Sequence, residues 1–473
     1  MDSTATKIIA VIVVIALIGA GVGIVIMLNQ KSNSDDVQKA ETKLAVYGNV
    51  NGDLEINEDD VNMIQDLVNE KAYLVDHPLA DANCDGILSQ DDVDFTRTII
   101  DKSTTFVYIQ CLSMNGNTIS QKVDYPLKNI VGVGTNMMPV MISSGIKSSL
   151  AGYYGSSSYT NMQLGLSGVN KIANISRNIT AANWTKFTDL DTSLAASGGV
   201  GAFLVDHSLG SVPDTSLDQD DDLKERGIPQ IRLAVADPIG DINAVMLLGF
   251  LVGGDAATTS KTYAEKSWGV IEDIQEKVNG LKDDEKKTYI GVTMWNYVAE
   301  ERSTFGTLGS YVGGIPYYSV NENFKAKYSG TSSDAMDSTE ALSNYAIKSK
   351  LSGPRAIDFI FSSRTIDFKT GDAAAINAKI VEDWEHVSGG HKAYEYFENL
   401  DCYSNLYYIN NLLPGAVKLA YVAAAMYPDL YSKDDANAVA DDFNTFCALL
   451  NGCSRANTIY YFSLSDYTAA KAA

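Results

Sequence analysis

Hydrophobic and polar positions divide the chain into three stretches of different character. The first is an uncharged apolar run of 21 residues, Ile8 to Leu28. As a helix rising about 1.5 Å per residue it spans about 30 Å, the hydrocarbon thickness of a bilayer. The run is longer than a signal-peptide core and ends in Asn29, Gln30 and Lys31. That predicts a retained membrane-spanning helix, with cleavage as the alternative. Residues 32–44 are polar and aperiodic and read as a short stalk. The second stretch carries two helical patterns, Val61, Ile64, Leu67, Val68 and then Val93, Thr96, Ile99, Ile100. The third begins near Thr105. Its apolar, β-branched runs predict strands at Phe106–Leu112, Asn129–Gly134, Gly201–Asp206, Pro229–Val235, Lys287–Trp295 and Ala356–Ser363. Helical stretches lie between several of them. Continuous apolar strands alternating with helices imply an α/β fold whose parallel sheets are covered on both faces. One long amphipathic helix, Thr258 to Leu281, separates two groups of strand–helix units; Ala264, Trp268, Ile271, Ile274, Val278 and Leu281 line one face.

Each helical pattern of the second stretch follows a 12-residue loop rich in oxygen. The first loop offers Asn49, Asn51, Asp53, Glu55, Asn57 and Asp60; the second offers Asp81, Asn83, Asp85, Ile87 (through its carbonyl), Ser89 and Asp92. These fall at loop positions 1, 3, 5, 7, 9 and 12, the EF-hand-type spacing by which alternate residues turn oxygens toward a hard cation. The second loop keeps Gly86 at position 6, whereas the first has Leu54 there. A position that needs φ > 0 strains leucine, so the first loop is expected to bind calcium more weakly or not at all.

Composition narrows the partners. The 473 residues carry 36 basic and 59 acidic side chains, a net charge of −23. No basic surplus exists to neutralise phosphates, which excludes nucleic acid and docking on anionic lipid through a polybasic face. Ser32 to Lys102 holds 17 acidic and five basic residues, about half of the surplus, as expected of a cation-binding segment. Five cysteines are too few for a disulfide scaffold. Glu382, His386 and His391 lack zincin spacing, and no G-x-S-x-G elbow or GKS/GKT loop is present. The chain therefore reads as a binding protein and not as an enzyme.

Two resemblances sharpen this. Tyr47-Gly48, Asn51-Gly52-Asp53, Asp85-Gly86 and Asp92 resemble a type I dockerin over about Ala45 to Asp101. The resemblance implies a small all-α module folded by Ca2+ that plugs into a cohesin-type protein. Calcium loops suit the cell exterior, and three sequons at Asn174, Asn178 and Asn183 agree with that side as glycosylation sites. The rest resembles the periplasmic-binding-protein family that serves importers of iron complexes and cobalamin. Val123–Gly134, Arg226–Val235, Ile242–Val278, Tyr311–Asn321 and Leu412–Ser432 carry that likeness in order. It implies a two-lobed α/β fold joined by a long interlobe helix. The family's glutamates that engage a permease have no clear counterpart, since Pro139 stands in the first place and FGTLGSY in the second.

The domain reading is a membrane anchor at 1–31, a stalk at 32–44, paired calcium loops at 45–104 and a solute-binding domain at 105–473. Within the last, the first lobe runs to about 257, the linking helix spans about 258–281, and the second lobe covers about 282–473. A ligand in such a fold lies at the carboxyl ends of strands. Candidates there are Met137, Met138, His207, Trp295, Tyr297, Arg302 and Arg364. Aromatics give a macrocycle or catechol flat contact, and arginines meet an anionic chelate. The reading is a single-pass protein of the cell membrane with its bulk outside. It binds a metal chelate or corrinoid (iron chelate, haem or cobalamin) for an ABC permease. The alternative is a structural or adhesive surface protein assembled through the dockerin-like module.

Overall fold

The computed structural model describes residues 42–113, 116–156, 159–174, 179–206, 219–292, 297–298, 307–320, 336–337, 356–368, 370–388, 391–392, 398 and 401–473. The apolar run at Ile8–Leu28 lies outside them. Among the described residues no helix is long and apolar enough to cross a membrane. The chain forms two compact units. The first comprises the residues up to Ser156 with Gly168–Val235 and Asn243–Ala264, and the second comprises Ser157–Ser167, Ala236–Ile242 and Glu265–Ala473.

The first unit opens with the two loop-following helices, α1 (Glu58–Glu70) and α2 (Gln90–Ile100). Both start with a capping box. Asn57 accepts from Asp59 N and Asp60 reaches back to Asn57 N; Ser89 and Asp92 do the same in α2. Carboxylates in each first turn also suit the helix dipole. Val61, Ile64 and Leu67 of α1 pack with Val93 and Ala80 into a small core. Next, β1 (Phe106–Leu112) pairs antiparallel with β2 (Thr118–Asp124), so the first expected strand stands outside the parallel sheet.

That sheet contains β3 (Ile130–Val133), β4 (Leu150–Tyr154), β5 (Lys171–Ala173), β6 (Ala202–Asp206) and β7 (Gln230–Leu233), all parallel, in the order β5-β4-β3-β6-β7. Every residue of β3 and β6 is buried, as continuous apolar runs demand. The helices in this stretch are α3 (Met137–Ser143), α4 (Thr160–Gly165), α5 (Ala181–Ser193), α6 (Gln219–Glu225), α7 (Pro238–Val252) and α8 (Gly254–Val278). Trp184 and Phe187 of α5 close on Phe203 of β6 with ring centroids 5.7 and 5.1 Å apart. α7 and α8 meet at Gly249, where a Cβ would overlap Ser260 Oγ. The long helix thus begins at Gly254, four residues before the expected Thr258. Gly253 (φ 76°) and Gly254 (φ 56°) make the corner.

The second unit holds a sheet ordered β11-β9-β8-β12-β15-β16, with β10 also pairing β8. Its strands are β8 (Thr288–Val292), β9 (Tyr297–Val298), β10 (Ile315–Pro316), β11 (Met336–Asp337), β12 (Phe359–Arg364), β15 (Leu406–Asn410) and β16 (Tyr461–Ser463). β8, β10, β12 and β15 run parallel, and β16 closes an edge antiparallel. A short hairpin, β13 (Val387–Ser388) with β14 (His391–Lys392), stands apart. The helices that follow or flank these strands include α9 (Ala373–Trp384), α10 (Gly415–Met426), α11 (Lys433–Phe446) and α12 (Leu464–Ala472). Trp384 is the hub of the core. It stacks on Tyr467 at 5.1 Å and meets Tyr408 edge-on at 5.1 Å.

Candidate functional site

Strand order locates a crevice in each unit. In the first, successive strands run outward from β3 to β5 and then resume at β6 on the other side of β3. The connections therefore part between β3 and β6, and ligands of open parallel sheets settle at the carboxyl ends beside such a parting. Gly134 follows β3 with φ 109°, and a Cβ there would lie 3.2 Å from Asp206 Cβ, so glycine lets the two strand ends close up. Asp206 ends β6 and is 3% exposed. Asn136 Nδ2 donates to Asp206 Oδ2 at 3.0 Å. An acidic and an amide side chain thereby meet at the strand ends, the carboxylate almost wholly buried.

The sequence instead singles out three neighbours of this pair. Met137 and Met138 are fully buried in α3. Met138 Sδ lies 2.5 Å from where a Cβ of Gly155 would be, and Met137 packs toward Gly132. Both fill the core beneath the crevice and neither side chain reaches the surface. His207 lies outside the described residues.

In the second unit β10 and β8 lie on one side and β12, β15 and β16 on the other, so the parting falls between β8 and β12. Arg364 ends β12 there and is 3% exposed. Its guanidinium lies 4.6 Å from the Tyr408 ring centroid, and Nε donates to the Asp383 carbonyl at 3.3 Å. Burial pushes the Asp383 carboxyl up, opposed by Lys379, which pairs with it at 3.1 Å, and by Arg364. Trp295 and Arg302 lie outside the described residues, as does the side chain of Tyr297, whose backbone belongs to β9.

A second buried charged group in this unit has no forerunner in the sequence reading. Asp237 Oδ1 accepts from Ile239 N at 3.0 Å and Gly240 N at 2.9 Å, capping α7, while Tyr311 OH donates to Oδ2 at 2.8 Å. Gly415 N donates to Asp241 Oδ2 at 2.9 Å. Lys418 is 2% exposed, and its Nζ donates to the Asn411 carbonyl at 3.3 Å. Burial pushes Lys418 down and Asp237 up, and their attraction opposes both shifts. The signals were Asp237 before Pro238 and a lone lysine in an alanine-rich helix.

The two oxygen-rich loops differ in one instructive way. In the second, Asp81 Oδ1 accepts from Asp85 N and Oδ2 from Gly86 N, both at 3.0 Å, with Gly86 at φ 84°. In the first, Asn49 stands at position 1 and cannot accept through that second atom. Its Nδ2 instead donates to the Asp53 carbonyl at 2.9 Å and the Leu44 carbonyl at 2.8 Å. No amide is needed from position 6, and Leu54 is not left-handed; Gly52 at position 4 has φ 72°, matching Cys84 at position 4 of the second loop with φ 54°. The strain expected at Leu54 is absent for that reason. Asn49 is 0% exposed, and its Oδ1 is buried with no hydrogen-bond partner among the described residues.

The remaining loop oxygens hold the turns. Asn51 Oδ1 accepts from Asp53 N, Asp53 Oδ1 from Glu55 N, Asn83 Oδ1 from Asp85 N and Asp85 Oδ1 from Ile87 N. Asp60 accepts from Asn51 N and Asn57 N, and Asp92 from Asn83 N and Ser89 N. Burial raises Asp81 and Asp92 and pushes Asp60 up to about 6. Burial, with Asp81, Asp92 and Asp85 adding to it, pushes the Cys84 thiol up to about 12. No group of three or more His, Cys, Asp or Glu side chains among the described residues is placed to hold a metal by itself. A cation here needs amide, hydroxyl and main-chain oxygens beside the carboxylates, as EF-hand-type loops supply. Of the sequons, Asn174 is exposed, Asn178 lies outside the described residues, and Asn183 sits half-buried in α5.

Neither a protein-family model nor a curated protein matches the sequence. Among solved structures, the chain is similar to a TroA-like periplasmic binding protein, FepB, from Veillonella parvula. The identity is 11%, the TM-score 0.46, and 75% of this chain and 99% of that one are covered. It is also similar to CeuE from Helicobacter pylori with Ni(II) bound, at 13% identity and TM-score 0.44, over 70% of this chain and 94% of that one. A periplasmic heme-binding protein from Pseudomonas aeruginosa is 12% identical, with TM-score 0.39, over 64% of this chain and 94% of its own.

Proposed function

We propose that the chain is a solute-binding receptor for an ABC importer, held at the outer face of the cell membrane by its apolar amino-terminal segment. Its ligand is an iron chelate, haem or cobalamin. The observation that supports this most is the pair of strand-order partings, each with a buried polar group at its carboxyl ends: Asp206 with Asn136 in one unit, Arg364 in the other. At the first crevice an acidic group suits a ligand's donors, and at the second a guanidinium suits acidic arms. The second reading, an adhesive surface protein assembled through a cohesin-type partner, draws on the exposed apolar residues of the loop module: Tyr73, Val75 and Ile87.

The loops hold calcium in this reading. Asn49, Asn51, Asp53, Glu55, Asn57 and Asp60 take one ion; Asp81, Asn83, Asp85, Ile87, Ser89 and Asp92 take the other. The orphaned Asn49 Oδ1 and the raised, buried Asp60, Asp81 and Asp92 fit a cation, which repays their desolvation. The test of the receptor reading is the absorption spectrum of the full chain purified from cells grown with iron and cobalamin. A chelate, haem or corrinoid band that co-purifies at one per chain supports it. A colourless protein that takes up none of these ligands on addition sinks it.

A further inference from the structure

The loop module is built into the first unit. Residues 45–47 run beside β1 as a third strand: Tyr47 N donates to the Tyr108 carbonyl and Gln110 N to the Ala45 carbonyl, both at 2.9 Å, and Val46 bridges Ile109. Leu44 and Val46 are fully buried on this strap. Its start is tied to the α/β body, where Asn243 Nδ2 of α7 donates to the Thr42 carbonyl at 3.2 Å. Further ties go to the first loop, through Lys43 N to the Gly52 carbonyl at 2.8 Å and Asn49 Nδ2 to the Leu44 carbonyl, while Gly48 N at the strap's end donates to the Leu79 carbonyl, just before the second loop, at 2.7 Å. Glu55, at loop position 7, pairs with Lys261 of α8. Asn49 therefore has two duties in one side chain. Its Nδ2 clamps loop to strap, and its buried, unpartnered Oδ1 is the atom left for a cation.

We infer that the first loop is a structural cation site of the α/β unit itself, in which Asn49 couples ion binding to the strap and through it to β1. This rests on the calcium reading above. The docking partner of the module's first loop is then this chain's own β1–β2 ribbon, and the outward second loop, with Ile87 64% exposed, is what remains for another protein. The coupling needs no change of shape. An ion that binds only the folded loop stabilises whatever folds with it by mass action. Asn49 at position 1 and Leu54 at position 6 belong together on this account. In the second loop the position-1 carboxylate of Asp81 takes the amide of the left-handed Gly86, whereas in the first loop Asn49 donates through Nδ2 and takes no such amide.

The experiment is amide hydrogen exchange of the full chain in calcium and in chelator, with calcium stoichiometry measured alongside by calorimetry. Calcium is expected to slow exchange at 42–48 and in β1 by about tenfold or more, because these amides open with the loop. Exchange at β15 in the second unit should stay the same. Asn49→Asp keeps an oxygen for the ion and removes the clamp, so it should still bind calcium and lose the protection at 42–48. Asp85→Ala, in the other loop, should leave that protection in place. Calcium protection confined to 49–60 and 81–92 overturns the inference. So does protection of the strap that survives Asn49→Asp. A full chain that binds no calcium in calorimetry overturns the calcium reading, and this inference with it.

Discussion

Asp206 and Asn136 form a small polar contact whose value for binding differs from its value for folding. The carboxylate ends a fully buried strand and accepts from Asn136 Nδ2 at 3.0 Å. Asp206→Ala should leave the melting temperature within a few degrees and weaken ligand binding by about 1–3 kcal/mol, the usual loss at an anchoring contact. Thermal unfolding and calorimetry on the same sample separate the two effects. Lys418 is the reverse case. It is 2% exposed and its charge attracts the buried carboxylates of Asp241 and Asp237, so Lys418→Met removes a buried counter-charge from both. The expected cost is about 3–5 kcal/mol, measured as a lower midpoint in denaturant. Sequence reading reached Arg364 because it directly follows a continuous apolar strand. It passes over Asp206, which falls inside the predicted strand Gly201–Asp206, and takes His207 as the residue that leaves it. The Asn49–Leu54 pairing was invisible for a different reason. Each residue alone looks like damage to a calcium loop, and only the hydrogen bonds show that one compensates for the other.

At the scale of elements, strands buried on both faces were legible and mixed ones were not. β3, β6 and β8 lie within the stretches that predict them, and β12 overruns its stretch by one residue, Arg364. β15 reads LYYIN, and its tyrosines look like a surface aromatic cluster until Leu406 and Tyr408 are seen facing the Trp384 core. β4 and β5 are short, and Gly152 interrupts the first. Helix starts were missed by several residues where glycine sets the corner, as at Gly254. Glycines also discriminate between rigid and soft neighbours. A Cβ at Gly415, the first residue of α10, would overlap the main-chain carbonyl of Pro238, which cannot rotate away. A Cβ at Gly155 meets the end of the Met138 side chain, which can. Gly415→Ala should therefore destabilise by at least about 2 kcal/mol, and Gly155→Ala by less, since overpacking costs most where nothing can move. Equal melting temperatures for the two variants contradict this packing.

For the whole molecule, charge and calcium act together. The loop stretch holds about half of the chain's excess acid in a part that packs as one body with the first α/β sheet. Removing calcium is expected to lower the melting temperature of the full chain. With free ion at a hundred times Kd the loss is about 2.7 kcal/mol per site. Magnesium should restore little of it, because that ion dehydrates reluctantly and demands tighter geometry. A melting curve unchanged by chelator removes calcium from the account while leaving the receptor reading standing.

The receptor reading is tested most directly by titrating the full chain with haemin, cyanocobalamin and a ferric catechol chelate, alone and with Asp206→Ala and Arg364→Ala. The account predicts saturable binding of one of these ligands at one per chain, with Kd about 1 μM or tighter, or near −8 kcal/mol. It predicts that at least one of the two substitutions weakens that ligand and that Arg364→Ala, if it is the one, weakens an anionic ligand more than a neutral one. Binding of none of the three, or binding indifferent to both substitutions, contradicts it.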